Sequence, residues 1–246
     1  LRSFIVSSAM QGDGKSTVSA NLARVMALSG LDVILVEGDL RRPTMNSTFH
    51  IDPHHPGLSH LLVGAASLES VLVTSPVPGL QIIPAGDIPP NPSELLGSTR
   101  MSDLLSYLAS DHVVIVDAPP VLPVTDAVAL AEHTDGVLLV IRSGSTTEDQ
   151  LRQAAASIRQ GGGTVLGIAL NQVPSSAFDR LRYGETVYGY AAADRIPSSH
   201  PATSSRTSSE NATTPSAVPS QSHPGVRHAD AEQVGGTADA ASMEEF

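Results

Sequence analysis

Blocks of branched aliphatic residues without polar alternation recur at residues 3–8, 32–37, 80–84, 112–117, 136–142 and 164–171. Runs of this kind are the mark of strands buried on both faces. Between them apolar positions return at helical spacing, over 16–29, 58–63, 67–73, 92–109 (in one piece or two), 125–132 and 146–160. Gly30 and Gly161 close the first and the last of these helices. Strand and helix in alternation predict an α/β fold: a mostly parallel sheet with right-handed crossovers and helices on both faces. Leu58, Leu61, Leu62, Leu95, Leu96, Leu104 and Leu105 are its expected helical core.

Beyond Tyr190 the pattern stops. Residues 191–246 hold no Leu and only Ile196, Val218, Val226 and Val234 as branched aliphatics, among many Ser, Thr, Pro and Ala. Such a stretch buries too little apolar surface to offset chain entropy, so the expected organisation is a domain over 1–190 and a disordered tail over 191–246. The chain opens on Leu1 and its first strand follows almost at once, which reads as a piece of a longer protein.

Composition narrows the function. At 246 residues and 41% apolar content the chain can build one sizeable core. No apolar run approaches the roughly 18–20 residues that cross a bilayer, and no basic n-region precedes an apolar stretch. The absence of cysteine excludes disulfides, thiolate metal sites and cysteine nucleophiles, and it suits a reducing cytoplasm. A net charge of −11 argues against a broad nucleic-acid footprint. Of 14 cationic residues thirteen are arginine and one, Lys15, is lysine. A chain that uses arginine almost everywhere keeps lysine where a compact ammonium on a flexible stem does what a guanidinium does not.

Lys15 stands in Ala9-Met10-Gln11-Gly12-Asp13-Gly14-Lys15-Ser16-Thr17, between the first strand and the first helix. A glycine-bearing loop, Gly-Lys-Ser and a helix N-terminus, in that order, cradle nucleotide phosphates. Gly12 and Gly14 let the backbone bend so that the amides from Gln11 to Thr17 point inward. Lys15 reaches the outer phosphates, Ser16 offers a hydroxyl to Mg2+, and Thr17 meets the inner phosphate. Ala9 stands where the usual pattern has its first glycine.

Such a site needs a carboxylate for Mg2+ at the end of a neighbouring strand, and Val113-Val114-Ile115-Val116-Asp117 ends in one. A second strand runs out through Glu37-Gly38-Asp39-Leu40-Arg41-Arg42. On an extended chain Glu37 and Asp39 face the same side, so both are expected to look into one site at the carboxyl edge of the sheet.

These three motifs together resemble the CpsD/CapB family of bacterial tyrosine kinases, the cytoplasmic part of the machinery for capsular and exopolysaccharide synthesis. The loop at Ala9 to Thr17 is similar to the family's Walker A, Glu37-Gly38-Asp39-Leu40-Arg41 to its Walker A' motif Asp-x-Asp-x-Arg, and Asp117-Ala118-Pro119-Pro120 to its Walker B. Glu37 replaces the first acid of Walker A', and Gln11 stands where the family usually has Pro. Ile88 to Leu96, Val121 to Asp126 and Asp135-Gly136 are also family-like, and the likeness covers about residues 2–190.

The resemblance implies a P-loop NTPase domain of the MinD-like type that transfers the ATP γ-phosphoryl group to tyrosine. It implies Lys15, Glu37, Asp39 and Asp117 as catalytic residues, and Ser16, Asp39 and Asp117 as holders of Mg2+. The Walker A' acids are then the candidates to orient or deprotonate the tyrosine hydroxyl. Tyr183, Tyr188 and Tyr190, three of four tyrosines in the chain, resemble the family's phosphoacceptor cluster, although further residues follow them. Kinship also implies a homo-oligomer and a membrane polysaccharide co-polymerase as activator, fused upstream or separate. The expected location is the cytoplasm, at the inner face of the plasma membrane.

Other readings share the motifs. A MinD/ParA-type ATPase switch has the same fold but carries a second lysine five residues before the P-loop lysine, where this chain has Met10. A polysaccharide chain-length regulator that binds ATP without kinase activity also fits Glu37 and the sparse tyrosines. ATP is favoured over GTP because Asn171-Gln172-Val173-Pro174 is not Asn-Lys-x-Asp. Asn171 either touches the base or caps a turn. His50, His54, His55 and His60 lie in a Pro-rich stretch without the spacing of a metal site. Asp126 reads as a helix-start acid or as support for the site, and Asp135 as a turn residue.

Overall fold

The structure, a computed structural model, describes residues 1–174. Tyr183, Tyr188 and Tyr190 and the tail expected at 191–246 lie outside the described residues. The elements run β1 (Ser3–Ser8), α1 (Lys15–Leu28), β2 (Val33–Glu37), α2 (Met45–Phe49), α3 (Leu58–Val63), α4 (Leu68–Val71), β3 (Val73–Thr74), β4 (Leu80–Ile83), α5 (Pro92–Leu96), α6 (Thr99–Asp111), β5 (Val113–Asp117), α7 (Asp126–Ala131), β6 (Val137–Arg142), α8 (Glu148–Gln160) and β7 (Val165–Asn171).

The strands form one sheet in the order β3-β4-β2-β5-β1-β6-β7. All neighbours pair in parallel except the two-residue edge strand β3, which runs antiparallel to β4. β1, β2 and β5 are walled in on both faces, so their aliphatic runs need no polar alternation. One face packs Ile5, Ile34, Val36, Val114 and Val116 against α3, α6, α7 and α8. The other packs Val6, Leu35 and Ile115 against Ala20, Ala23 and Ala27 of α1 and Met45 of α2. Small alanines on α1 let it lie close over the sheet, which brings its N-terminus to the carboxyl ends of the strands.

Each expected strand is present, and the seven leucines proposed as core lie buried or packed against the core. The stretch at 92–109 is two helices. Gly97 ends the first, and the Ser98 hydroxyl caps the second by accepting the Met101 amide at 3.3 Å. β7 departs from the expected double burial: at the sheet edge its alternate residues Leu166, Ile168 and Leu170 are exposed. Two elements were not expected at all. β3 is too short to show a pattern, and α2 buries Met45 alone, so it has no apolar period to detect. Among the described residues no helix is long and apolar enough to cross a membrane.

Candidate functional site

Because the paired strands other than β3 are parallel, their carboxyl ends share one rim, and the switch in chain order at β1 opens a crevice there. The loop from Ala9 to Gly14 leaves β1 at that rim and enters α1 at Lys15. Gly12 and Gly14 adopt left-handed φ of 88° and 93°, which L side chains rarely tolerate. A Cβ on Gly14 would also lie 2.1 Å from the Asn171 side-chain nitrogen. Gly14→Ala is therefore expected to lower stability by at least about 1–2 kcal/mol, from backbone strain alone, and to weaken nucleotide binding. Denaturant unfolding and calorimetry with Mg-ADP read the two effects, and an unchanged midpoint would contradict the loop geometry.

Side chains brace the loop from behind. Asp13 is nearly buried; one carboxylate oxygen accepts the Met10 amide at 3.1 Å and the other the Thr146 hydroxyl at 3.0 Å. Asn171 donates its side-chain amide to the Asp13 carbonyl at 2.9 Å and accepts the Gln172 amide at 2.9 Å. These Asn171 contacts tie β7 to the phosphate loop. Gln11, Gly12, Gly14, Lys15, Ser16 and Thr17 line one wall of a cleft of about 410 Å³, and Asp39, Arg41, Arg42, Pro119 and Pro120 line another.

The charges converge where the loop meets the strand ends. Lys15 Nζ lies 2.8 Å from Asp39 Oδ2, 3.7 Å from Asp117 Oδ2 and 3.2 Å from the Ser16 hydroxyl. Asp117 ends β5 wholly buried, and neither of its oxygens meets a hydrogen-bond donor among the described residues. Burial pushes its pKa up; the Lys15 charge and the nearby Ser16 and Ser19 hydroxyls pull the other way, and Asp39 adds to the rise. Asp39 Oδ1 is anchored by the Arg42 amide at 3.1 Å. Two carboxylates and a hydroxyl of hard-oxygen character, with orphaned buried oxygens on Asp117, fit Mg2+, which binds few protein ligands and completes its shell with phosphate and water.

Glu37 is held by backbone amides. It does point to the α1 face of the sheet, as alternation from Leu35 requires, but the unforeseen α2 closes over it. Its Oε1 accepts the amides of Thr44 and Met45, the latter at 2.8 Å, and its Oε2 accepts the Ala85 amide at 3.1 Å. Glu37 is fully buried and does not line the cleft. Burial holds its carboxyl above the usual 4.5, against the lowering pull of the three amides and with a small further rise from Asp117. Asp39 lines the cleft, whereas Glu37 sits behind it, next to Asp117 across the β2–β5 pairing.

Asp126, at the start of α7, carries more than a helix-start role. Fully buried, it accepts Arg41 Nε at 2.8 Å and Nη2 at 3.0 Å, and the Ser93 hydroxyl at 2.5 Å. Burial works to raise its pKa, but Arg41 and Ser93 outweigh that and hold it below 3.8. Two signals were legible in the chain, Arg41 after the acids and Asp126 after Asp117, but their pairing spans 85 residues. Asp135 lies away from the site, taking the Arg2 and Ser3 amides at the start of β1. Among the described residues no group of three or more His, Asp or Glu is placed to hold a metal, and His60 instead stands 3.3 Å from Asp87.

A family model described as an AAA domain matches residues 3–161. Tyrosine-protein kinase YwqD of Bacillus subtilis is 38% identical over 172 residues, 70% of this chain and 72% of that protein. Tyrosine-protein kinase ptk of Acinetobacter johnsonii is 40% identical over 166 residues, 67% of this chain but only 22% of its own length. Among solved structures, the kinase domain of the Escherichia coli tyrosine kinase ETK matches with a TM-score of 0.69 and 35% identity, covering 72% of this chain and 69% of that one. The cell division ATPase MinD of Pyrococcus furiosus matches with a TM-score of 0.61 and 22% identity, covering 72% of this chain and 74% of that one, a likeness of fold alone.

Proposed function

The chain belongs to the CpsD/CapB family of bacterial protein-tyrosine kinases, and from that membership and its site we propose that it moves the γ-phosphoryl group of ATP to tyrosines of its own C-terminal region. The observation that supports this most directly is the convergence of Lys15, Asp39 and Asp117 within 3.7 Å at the mouth of the phosphate loop. In the transfer the bond between phosphorus and the β,γ-bridging oxygen breaks and a bond from phosphorus to the phenol oxygen forms. ADP departs with the bridging electron pair, and the phenol proton leaves to solvent water in the open cleft.

Lys15 and the loop amides from Gln11 to Thr17 meet the phosphates and oppose the charge that builds on the moving group. Ser16, Asp39 and Asp117 would hold Mg2+, which would supply positive charge against that of the phosphates. Glu37 serves by fixing the loop at Thr44 and Met45 beside the cleft rather than by touching tyrosine. Asn171 braces the loop from the far side. The expected setting is regulation of capsular or exopolysaccharide synthesis by a homo-oligomer at the inner face of the plasma membrane. The partner is a membrane polysaccharide co-polymerase.

The test is incubation with Mg-ATP followed by mass spectrometry over residues 178–195. Phosphate on Tyr183, Tyr188 or Tyr190 is the expected result. Steady ATP hydrolysis with no phosphotyrosine anywhere in the chain would make it a nucleotide switch instead.

A further inference from the structure

Three loops that come from distant parts of the chain meet at one buried carboxylate. Arg41 follows β2, Ser93 lies in the first turn of α5 and Asp126 opens α7 after β5. Asp126 takes Arg41 Nε at 2.8 Å and Nη2 at 3.0 Å, and Ser93 completes the cluster, 3.2 Å from Arg41 Nη2 and 2.5 Å from Asp126. A guanidinium gripped along its Nε and Nη2 edge cannot swing, and long side chains lose most of their freedom only under such a two-point hold.

The third nitrogen, Nη1, meets no acceptor among the described residues, and Arg41 lines the cleft with Lys15, Ser16 and Asp39. Arg41 is also near enough to Asp39 to feel its charge, and Asp39 stands 2.8 Å from Lys15. Its neighbour Arg42 lines the same cleft but has no side-chain partner among the described residues to aim it. A cation that is both oriented and left with an uncommitted donor edge is suited to charge that appears only during reaction, because it has no reorganisation left to undergo.

We propose that Asp126 is a positioning residue: with Ser93 it aims Arg41 into the phosphate end of the cleft, where the Nη1 edge contacts the phosphoryl oxygens during transfer. This rests on the phosphotransfer reading above. The contact strengthens as the group moves, so Arg41 discriminates between the transferring phosphoryl and bound ADP. Lysine in its place pairs with Asp126 but cannot also reach into the cleft, since it lacks the second edge of the fork.

The test compares the parent with Arg41→Lys and Asp126→Asn in binding Mg-ADP and Mg-ADP with aluminium fluoride, a mimic of the moving group, by calorimetry. Steady-state kinetics on the phosphorylated tyrosines and thermal unfolding accompany it. Expected is Mg-ADP affinity within about twofold of the parent in both variants, with affinity for the fluoride complex and kcat both down about 10²-fold and KM little changed. Arg41→Lys keeps a cation beside Asp126 and guards against a result that reflects misfolding. Fluoride-complex affinity equal to the parent in both variants would overturn the proposal. So would an equal loss for both ligands together with a lowered unfolding temperature, which would mark the cluster as a structural tie. A parent chain that binds Mg-ADP no tighter with fluoride and labels no tyrosine overturns the phosphotransfer reading itself, whereas a parent that tightens while the variants keep pace overturns only the role of the cluster.

Discussion

Lys15→Met is expected to reduce phosphotyrosine formation by about 10³-fold or more, roughly 4 kcal/mol of lost transition-state stabilisation. The ammonium stands between Asp39 and Asp117 at 2.8 and 3.7 Å, on a stem with little exposure. No other lysine occurs in the chain, and the nearest cations in the cleft, Arg41 and Arg42, have broader heads on different loops. Methionine keeps the length of the stem and loses the charge. It also leaves two carboxylates facing each other without their counter-ion, which costs stability unless one takes up a proton. Thermal unfolding therefore accompanies the assay: a folded variant with normal labelling of Tyr183, Tyr188 and Tyr190 would show that Lys15 is not the phosphate-binding cation. Mg-ATP affinity is expected to fall as well, because the lysine contacts the phosphates in the bound state and not only during transfer.

Glu37→Ala is the variant with the largest expected effect on folding. It strands the buried amides of Met45 and Ala85 and the part-buried amide of Thr44. Each unsatisfied amide costs about 1–3 kcal/mol, so a loss of about 4 kcal/mol is a reasonable central figure once partial relaxation is allowed. Denaturant unfolding reads it directly, and a loss below about 1 kcal/mol would mean that the loop does not depend on Glu37. Glu37→Gln carries the pH signature. The folded carboxyl titrates above its ordinary 4.5, so the fold prefers the protonated form. The stability this group contributes is complete below the unfolded value and declines as pH rises through the folded one. The amide that replaces it does not titrate, so the stability difference between the Glu37→Gln variant and the parent is expected to shift in the variant's favour as pH rises from about 4 to neutral. A difference that stays level across that range would exclude a raised carboxyl at this position.

How much of this was legible beforehand depends on how far apart the deciding residues lie. β1, the phosphate loop and α1 are contiguous, so their order alone announced a nucleotide-binding turn, and Gly12 and Gly14 take the positive φ that glycine there implies. β2 and β5 were evident from Val and Ile runs, and Asp39 and Asp117 from their places at or just past the ends. The partners of Glu37 were not legible for a local cause: alternation gives its face but not α2, a five-residue helix whose only buried residue is Met45. The grip of Asp126 on Arg41 was not legible for a distant one, since nothing in either segment states which of many carboxylates an arginine will meet.

The chain by itself determined the parallel α/β architecture, the phosphate loop and the lone ammonium, because short-range periodicity and adjacent motifs carry that information within a few residues of each other. Tertiary structure decided what each acid is packed against and bonded to. Packing of β2 beside β5, of α2 over Glu37 and of α7 against Arg41 sets burial and hydrogen-bond partners, and those depend on residues brought together only when the sheet closes.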